Sequence, residues 1–74
     1  MQHNTGVSQT WLCNVNWFGE DLQFYTVAKS KEIAFKNLCT KLAQRVGWQR
    51  WKVMLTLREK HYSWSIVVAP KKER

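Results

Sequence analysis

The sequence has few acidic residues, one proline, three isolated glycines and no long apolar run. Its 74 residues include five Asp and Glu against twelve Lys and Arg, which gives a net charge of +7. A membrane span needs roughly 18 consecutive apolar residues, so none is expected. The first eight residues lack the positive start and the apolar stretch of a secretion signal. We therefore expect one small basic domain, located in the cytoplasm.

The two cysteines, Cys13 and Cys39, are too few for a disulfide framework. They are either buried free thiols in a reducing compartment or a single Cys13–Cys39 bridge. Neither cysteine is close in sequence to His3 or His61, so the spacing typical of zinc sites is missing. A catalytic pair of Cys39 and His61 is not favoured, because Cys39 falls on an apolar face where a thiol is inert. We expect no catalytic residue, no metal and no cofactor, and hence no enzyme.

Aromatic and alternating residues predict a hairpin in the first part of the chain. Five Trp, three Phe and two Tyr supply large side chains for a core in a short sequence. Residues 10–18 alternate with period two, as in a half-buried strand. The residues of its apolar face are Trp11, Cys13, Val15 and Trp17. A short turn at 19–21 and a second strand at 22–28 complete the predicted antiparallel hairpin.

An amphipathic helix is predicted for residues 31–46. Ser30 is placed to cap its first turn, and Gly47 is placed to end it. Apolar residues recur at the three- and four-residue spacing of one helical face. They are Phe35, Leu38, Cys39, Leu42 and Val46.

A second hairpin is predicted after the helix. Residues 51–57 alternate, with Trp51, Val53, Leu55 and Leu57 on one face. A turn is expected at 58–61 and a returning strand at 62–69, which Pro70 ends. The apolar face of that last strand consists of Tyr62, Trp64, Ile66 and Val68.

These elements predict an α+β fold of order β-β-α-β-β. Two hairpins form an antiparallel sheet, and the amphipathic helix packs on one face of it. Residues 1–9 are expected to be a flexible N-terminus, residues 10–69 the folded domain, and residues 70–74 a basic C-terminal tail.

The charge is distributed unevenly along the chain. Residues 1–28 have no Lys or Arg, whereas residues 29–74 have all twelve together with three of the five acids, a net +9. Basic and aromatic residues interleave from the end of the predicted helix onward. Cations neutralise phosphates, and indole rings stack on bases. We therefore expect a nucleic-acid-binding module, for DNA or RNA, whose binding residues are Lys41, Arg45, Trp48, Arg50, Lys52, Arg58 and Lys60.

A second interpretation is a non-enzymatic protein-binding module. Tryptophan and arginine also dominate protein interfaces, so an inhibitor or adaptor for an acidic partner surface fits the same residues. The predicted edge strands allow pairing with a partner strand, or a homodimer. A membrane-surface role is not expected, because the sheet needs the helix's apolar face.

Overall fold

The computed structural model describes residues 8–70 and contains three strands and two α-helices. Strands β1 (Gln9–Trp17) and β2 (Glu20–Ala28) are followed by helices α1 (Lys31–Val46) and α2 (Arg50–Glu59). A 3₁₀ turn (His61–Ser63) leads into strand β3 (Trp64–Val68). The α+β class is confirmed. The predicted order and the second hairpin are wrong, since the observed order is β-β-α-α-β. The expectations for residues 1–7 and 71–74 lie outside the described residues.

The sheet is antiparallel, with β1 between β2 and β3. Cys13 lies opposite Phe24 on one side and Ile66 on the other, and Val15 lies opposite Leu22 and Trp64. Directly opposed residues share a face, so these side chains all point the same way. The predicted apolar face of the first strand is confirmed, because Cys13, Val15 and Trp17 are buried and Trp11 is half-buried.

Helix α1 has the predicted boundaries, and the predicted caps set them. The Ser30 hydroxyl accepts a hydrogen bond from the Ile33 backbone N–H at 3.3 Å. Gly47 ends the helix in the left-handed conformation at φ 76°, which glycine adopts without steric cost. The buried side chains of α1 include Leu38, Cys39 and Leu42. They join the core formed by the inward face of the sheet.

Residues 50–59 are helical, so the strand predicted at 51–57 is wrong. A strand would place Leu55 and Leu57 on one face, but Leu55 is 54% exposed and Leu57 is 1% exposed. The buried pair is Val53 and Leu57, four residues apart, as on one side of a helix. The segment contains no glycine or proline and is rich in Arg, Lys, Met, Leu and Glu, which favour helix. Packing against α1 therefore selects the helical period over the alternating one.

The last strand is shorter than predicted and pairs with β1. With residues 50–59 helical, the predicted partner is missing, and the free edge of β1 accepts β3 instead. Ile66 is buried and Trp64 is half-buried, but Tyr62 is exposed in the 3₁₀ turn and Val68 is exposed in β3.

Indole hydrogen bonds join elements of the fold: one links β3 to α2, and one lies within the sheet, between β1 and the end of β2. The Trp64 Nε1 donates to the carbonyl of Leu57 at 2.7 Å, which satisfies an acceptor near the end of α2. The Trp11 Nε1 donates to the carbonyl of Ala28 at 2.9 Å. Buried residues of both helices join the core of the inward sheet face, so both helices lie on that side of the sheet. Neither of the two helices in residues 8–70 has the length and apolarity needed to cross a membrane.

Replacing Leu57 and Leu55 separately distinguishes the helix from a strand. Leu57→Ala should lower the free energy of unfolding by about 2–4 kcal/mol, because it leaves a cavity in the core. Leu55→Ala, the matched control, should change it by less than about 0.5 kcal/mol, because Leu55 is exposed. Urea denaturation followed by circular dichroism measures both. Equal losses would support a strand at 51–57 and contradict α2.

Candidate nucleic-acid interface

The turn that joins β1 to β2 presents an aromatic side chain in an unusual backbone conformation. Phe18 and Gly19 form a two-residue turn, and both have positive φ, 50° and 91°. This is the signature of a type I′ hairpin turn, which normally selects Asn and Gly. Left-handed backbone costs a non-glycine residue roughly 1–2 kcal/mol. The Phe18 ring is nevertheless 64% exposed, so burial of the ring does not explain this conformation.

Two tryptophans pack against the turn. The ring centroids of Trp17 and Trp48 are 5.1 Å apart in an edge-to-face arrangement, and those of Phe18 and Trp48 are 6.0 Å apart. Trp17 is buried, whereas Trp48 is 41% exposed. Gly47 directs the chain here, because its left-handed conformation ends α1 and places Trp48 beside the hairpin. The outcome is two neighbouring aromatic rings, Phe18 and Trp48, that are open to water and supported by a buried third.

One cation lies over one of these rings, and two more lie on the adjoining segments. The Lys60 ammonium lies 5.5 Å from the centroid of the Phe18 ring. An Arg45 guanidinium nitrogen lies 3.8 Å from a carboxylate oxygen of Glu20, at the start of β2. Lys52 lines, together with Trp48, a shallow cavity of about 210 Å³. We call the set Phe18, Arg45, Trp48, Lys52 and Lys60 the hairpin-tip surface.

The other three predicted binding residues lie elsewhere. The Arg50 Nε donates to the Thr40 hydroxyl at 2.8 Å, so this guanidinium lies between α2 and α1. The Arg58 guanidinium lies 6.0 Å from the centroid of the Phe35 ring, beside the start of α1. Lys41 lines a separate shallow cavity with Thr26. The structure therefore brings together Arg45, Trp48, Lys52 and Lys60 but not Lys41, Arg50 and Arg58.

Phe18 is the residue of this surface that the sequence reasoning missed. The sequence predicts Phe18 at the end of the first strand and a turn at 19–21, whereas the turn consists of Phe18 and Gly19. The alternation of β1 contains the signal that could have placed Phe18 outside the apolar face of the strand. Trp17 is the last inward-facing residue, so Phe18 either faces outward or belongs to the turn.

The Arg45–Glu20 ion pair is exposed on both sides, with relative side-chain accessibilities of 59% and 63%. Exposed pairs of this kind contribute little to stability and exchange readily with other ions. A phosphate can therefore replace Glu20 beside Arg45 at small cost. Within the described residues this is the one ion pair, so it alone screens a cation of the hairpin-tip surface.

The two thiols are free and buried. Of the two alternatives for the cysteines, buried free thiols or a Cys13–Cys39 bridge, the first is therefore the one observed. Burial raises the pKa of the Cys13 thiol, an effect that the positive charge of Lys41 partly offsets. Burial likewise raises the pKa of Cys39, against the opposing influence of Arg50 and Arg58. A thiol with a raised pKa and no access to solvent is a poor nucleophile. No group of three or more His, Cys, Asp or Glu side chains in residues 8–70 is arranged to hold a metal ion.

Thiol alkylation should follow unfolding. At pH 8, iodoacetamide should modify Cys13 and Cys39 at least about 100-fold more slowly in the native protein than in urea, because each thiol is buried and its pKa is raised. Above pH 9, stability should decline as the unfolded chain ionises thiols that the folded chain keeps protonated. That part of the pH dependence should vanish in a variant with both Cys13→Ala and Cys39→Ala. Rapid native alkylation at either site would contradict the burial.

The hairpin-tip surface offers two kinds of interaction side by side: planar rings that can stack, and mobile cations that can pair with anions. The carboxylate that pairs with it is the exchangeable Glu20. Comparison of the chain with protein-family models, with curated proteins and with solved structures found no match.

Proposed function

We propose that this protein binds nucleic acid through the hairpin-tip surface. The observation that carries the proposal is the exposed pair of rings, Phe18 and Trp48, with Arg45, Lys52 and Lys60 around it. The cations contact phosphates, and binding gains free energy from the counterions they release. The rings stack on bases, each stacked base contributing about 1–3 kcal/mol.

The arrangement favours single-stranded over duplex nucleic acid. Bases within a duplex are already paired and stacked, so their faces cannot reach an aromatic side chain on a hairpin turn. In a single strand the bases can be splayed out onto such rings. The Phe18 backbone is consistent with this role, since strained residues persist where a side chain is needed in a particular place.

The strongly positive part of the chain supports the same proposal. All the described basic residues lie between residues 29 and 60, and the chain as a whole has a net charge of +7. A positive field of this kind increases the rate at which a polyanion is captured. Arg50, Lys41 and Arg58 contribute to that field from outside the hairpin-tip surface. In this proposal the protein acts in the cytoplasm, where a reducing environment preserves two free thiols.

An acidic protein surface is the competing partner. It can pair with the three cations, but it lacks the closely spaced series of base planes that a single strand offers to Phe18 and Trp48. Dependence of binding on the bases therefore distinguishes a nucleic-acid partner from an acidic protein partner. An oligonucleotide without bases is the appropriate control. It keeps every phosphate and removes every stacking partner.

Binding should depend on bases as well as on phosphates. Fluorescence anisotropy with a labelled oligothymidine of about twelve nucleotides, within the usual range of single-strand sites, gives the affinity. The same strand made abasic should bind at least about tenfold more weakly, and a duplex at least about fivefold more weakly. With three phosphates engaged, log K should fall with log salt at a slope near −2. Equal affinity for the abasic strand would assign the surface to acidic partners, and no binding at low salt would remove the proposal.

Phe18→Asn separates binding from folding. Asparagine suits the left-handed backbone of the turn, which offsets the lost ring contacts, so the free energy of unfolding should change by less than about 1 kcal/mol. The affinity for oligothymidine should fall about five- to tenfold, because one stacked base loses its ring. Phe18→Tyr keeps the ring and should keep the affinity within about twofold. Equal binding by Phe18→Asn and the unchanged protein would show that the ring makes no contact with the bases.

A further inference from the structure

The sheet has a second face, which the helices leave open. Along β1 the inward residues alternate with Leu12, Asn14 and Asn16, whose side chains point away from the core. Apart from the 3₁₀ turn His61–Ser63 at one end, no element of residues 8–70 packs on this face. We call it the open sheet face.

Apolar side chains are concentrated in one half of the open sheet face. Leu12 is at its centre, directly opposite Tyr25 of β2 and Val67 of β3. Val27 lies two residues beyond Tyr25 on the same side of β2. Tyr25, Val27 and Val67 are all exposed. Four neighbouring apolar residues thus form a continuous area in contact with water.

The other half is polar but satisfied internally. The Gln23 amide donates to the Asn14 side-chain oxygen at 3.0 Å, and the Asn16 amide donates to the Asp21 carboxylate at 2.8 Å. These cross-strand pairs can enter an interface without losing their hydrogen bonds. Burial of the neutral Gln23–Asn14 pair therefore costs less than burial of unpaired polar groups, whereas the charged Asp21 belongs at the solvated edge of an interface.

The charge of this face differs from that of the whole molecule. The three strands contain no Lys or Arg at all, and Lys29, which directly follows β2, is the nearest basic residue along the strands. A phosphate or an acidic peptide would find no cation on this face. Two copies of a chain with a net charge of +7 repel each other most weakly where neither has a cation. The surface therefore suits a second copy better than it suits an acidic partner.

We propose that two copies of the chain associate through their open sheet faces. The two sheets stack as in a β-sandwich, about 10 Å apart, around a two-fold axis that brings Leu12, Tyr25 and Val67 of one copy against the same residues of the other. The helices and the hairpin-tip surfaces remain outside. This association is independent of nucleic-acid binding.

The sheet edges are less suited to self-association, so a homodimer through an edge strand, which the sequence allowed, is not favoured. At the β2 edge, the Val27 carbonyl already accepts a hydrogen bond from the Asn37 amide at 3.3 Å. At the β3 edge, Lys31, Glu32 and Arg58 line an adjacent groove with a net positive charge, and an edge-to-edge dimer would bring its two cations towards their copies. The open sheet face has neither obstacle.

The size of the face sets the strength of the dimer. Three strands of at most nine residues span about 30 Å by roughly 10–15 Å, which is about 400 Å² for each copy. The total is below that of standard stable interfaces. We therefore expect a weak dimer, half-formed at about 0.1–1 mM at physiological salt.

Val67 and Val68 provide a matched test. They are neighbours in β3, they are 48% and 49% exposed, and they lie on opposite faces of the sheet. Sedimentation equilibrium of the unchanged protein should show a dimer that forms more readily as salt screens the charge repulsion. Val67→Lys should weaken dimerisation at least about tenfold, and Val68→Lys less than about twofold. Circular dichroism checks that both variants are folded.

Two results would overturn the proposal. One is a monomer at all concentrations up to about 1 mM, the upper end of the expected range. The other is an equal effect of Val67→Lys and Val68→Lys, which would indicate added charge in general and not the open sheet face. Oligothymidine binding by Val67→Lys should be unchanged within about twofold, so that failure of dimerisation and failure of nucleic-acid binding are observed separately.

Discussion

The structure depends on the strict alternation of β1. Because β1 is the middle strand, both its edges are hydrogen-bonded, and its inward residues, Cys13, Val15 and Trp17, all enter the core. A shift of register by one residue would turn Asn14 and Asn16 inward and the buried side chains outward. The same alternation fixes three further features: the side on which the helices pack, the point at which the hairpin turns, and the composition of the opposite face.

The molecule separates two surfaces of different chemistry. The hairpin tip combines exposed rings with cations, and its geometry comes from three residues of positive φ: Phe18 and Gly19 in the turn and Gly47 at the end of α1. The open sheet face combines aliphatic and aromatic side chains with amides paired to one another and to the Asp21 carboxylate. Cations come from the helices and connecting segments, and the strands supply none. A small domain can therefore present the surface proposed to bind nucleic acid and a surface without cations, and the two need not interfere with each other.

The elements that the sequence predicted correctly are those in which local signals agree with one another. In α1, the Ser30 cap, the Gly47 stop and the apolar spacing all indicate one helix, and in β1 the alternation has no helical counterpart. Residues 51–57 are different, because Val53 and Leu57 fit both a helical face and one side of a strand. Only the neighbouring helix α1 decides between them, and contact with a distant element is not encoded in local periodicity. The error then extended to the partner of β3.

The candidate site was predictable to a similar extent. Arg45, Trp48 and Lys52 are close in sequence, so their clustering could be expected once α1 was known. Lys60 reaches the hairpin-tip surface only because α2 is a helix. Phe18 belongs to it only because the turn begins one residue earlier than expected. Arg50 and Arg58 appear in the same basic stretch but turn towards α1, where Thr40 and Phe35 receive them.

The pairing of β3 with β1 also brings the two ends of the fold together. The Ala69 backbone N–H donates to the Thr10 carbonyl at 2.9 Å, so the chain enters and leaves the sheet at neighbouring points. A domain with adjoining ends can be placed inside a surface loop of a host protein without stretching that loop. For the same reason, a short linker between these points would allow the chain to be reopened elsewhere by circular permutation, with the sheet order preserved.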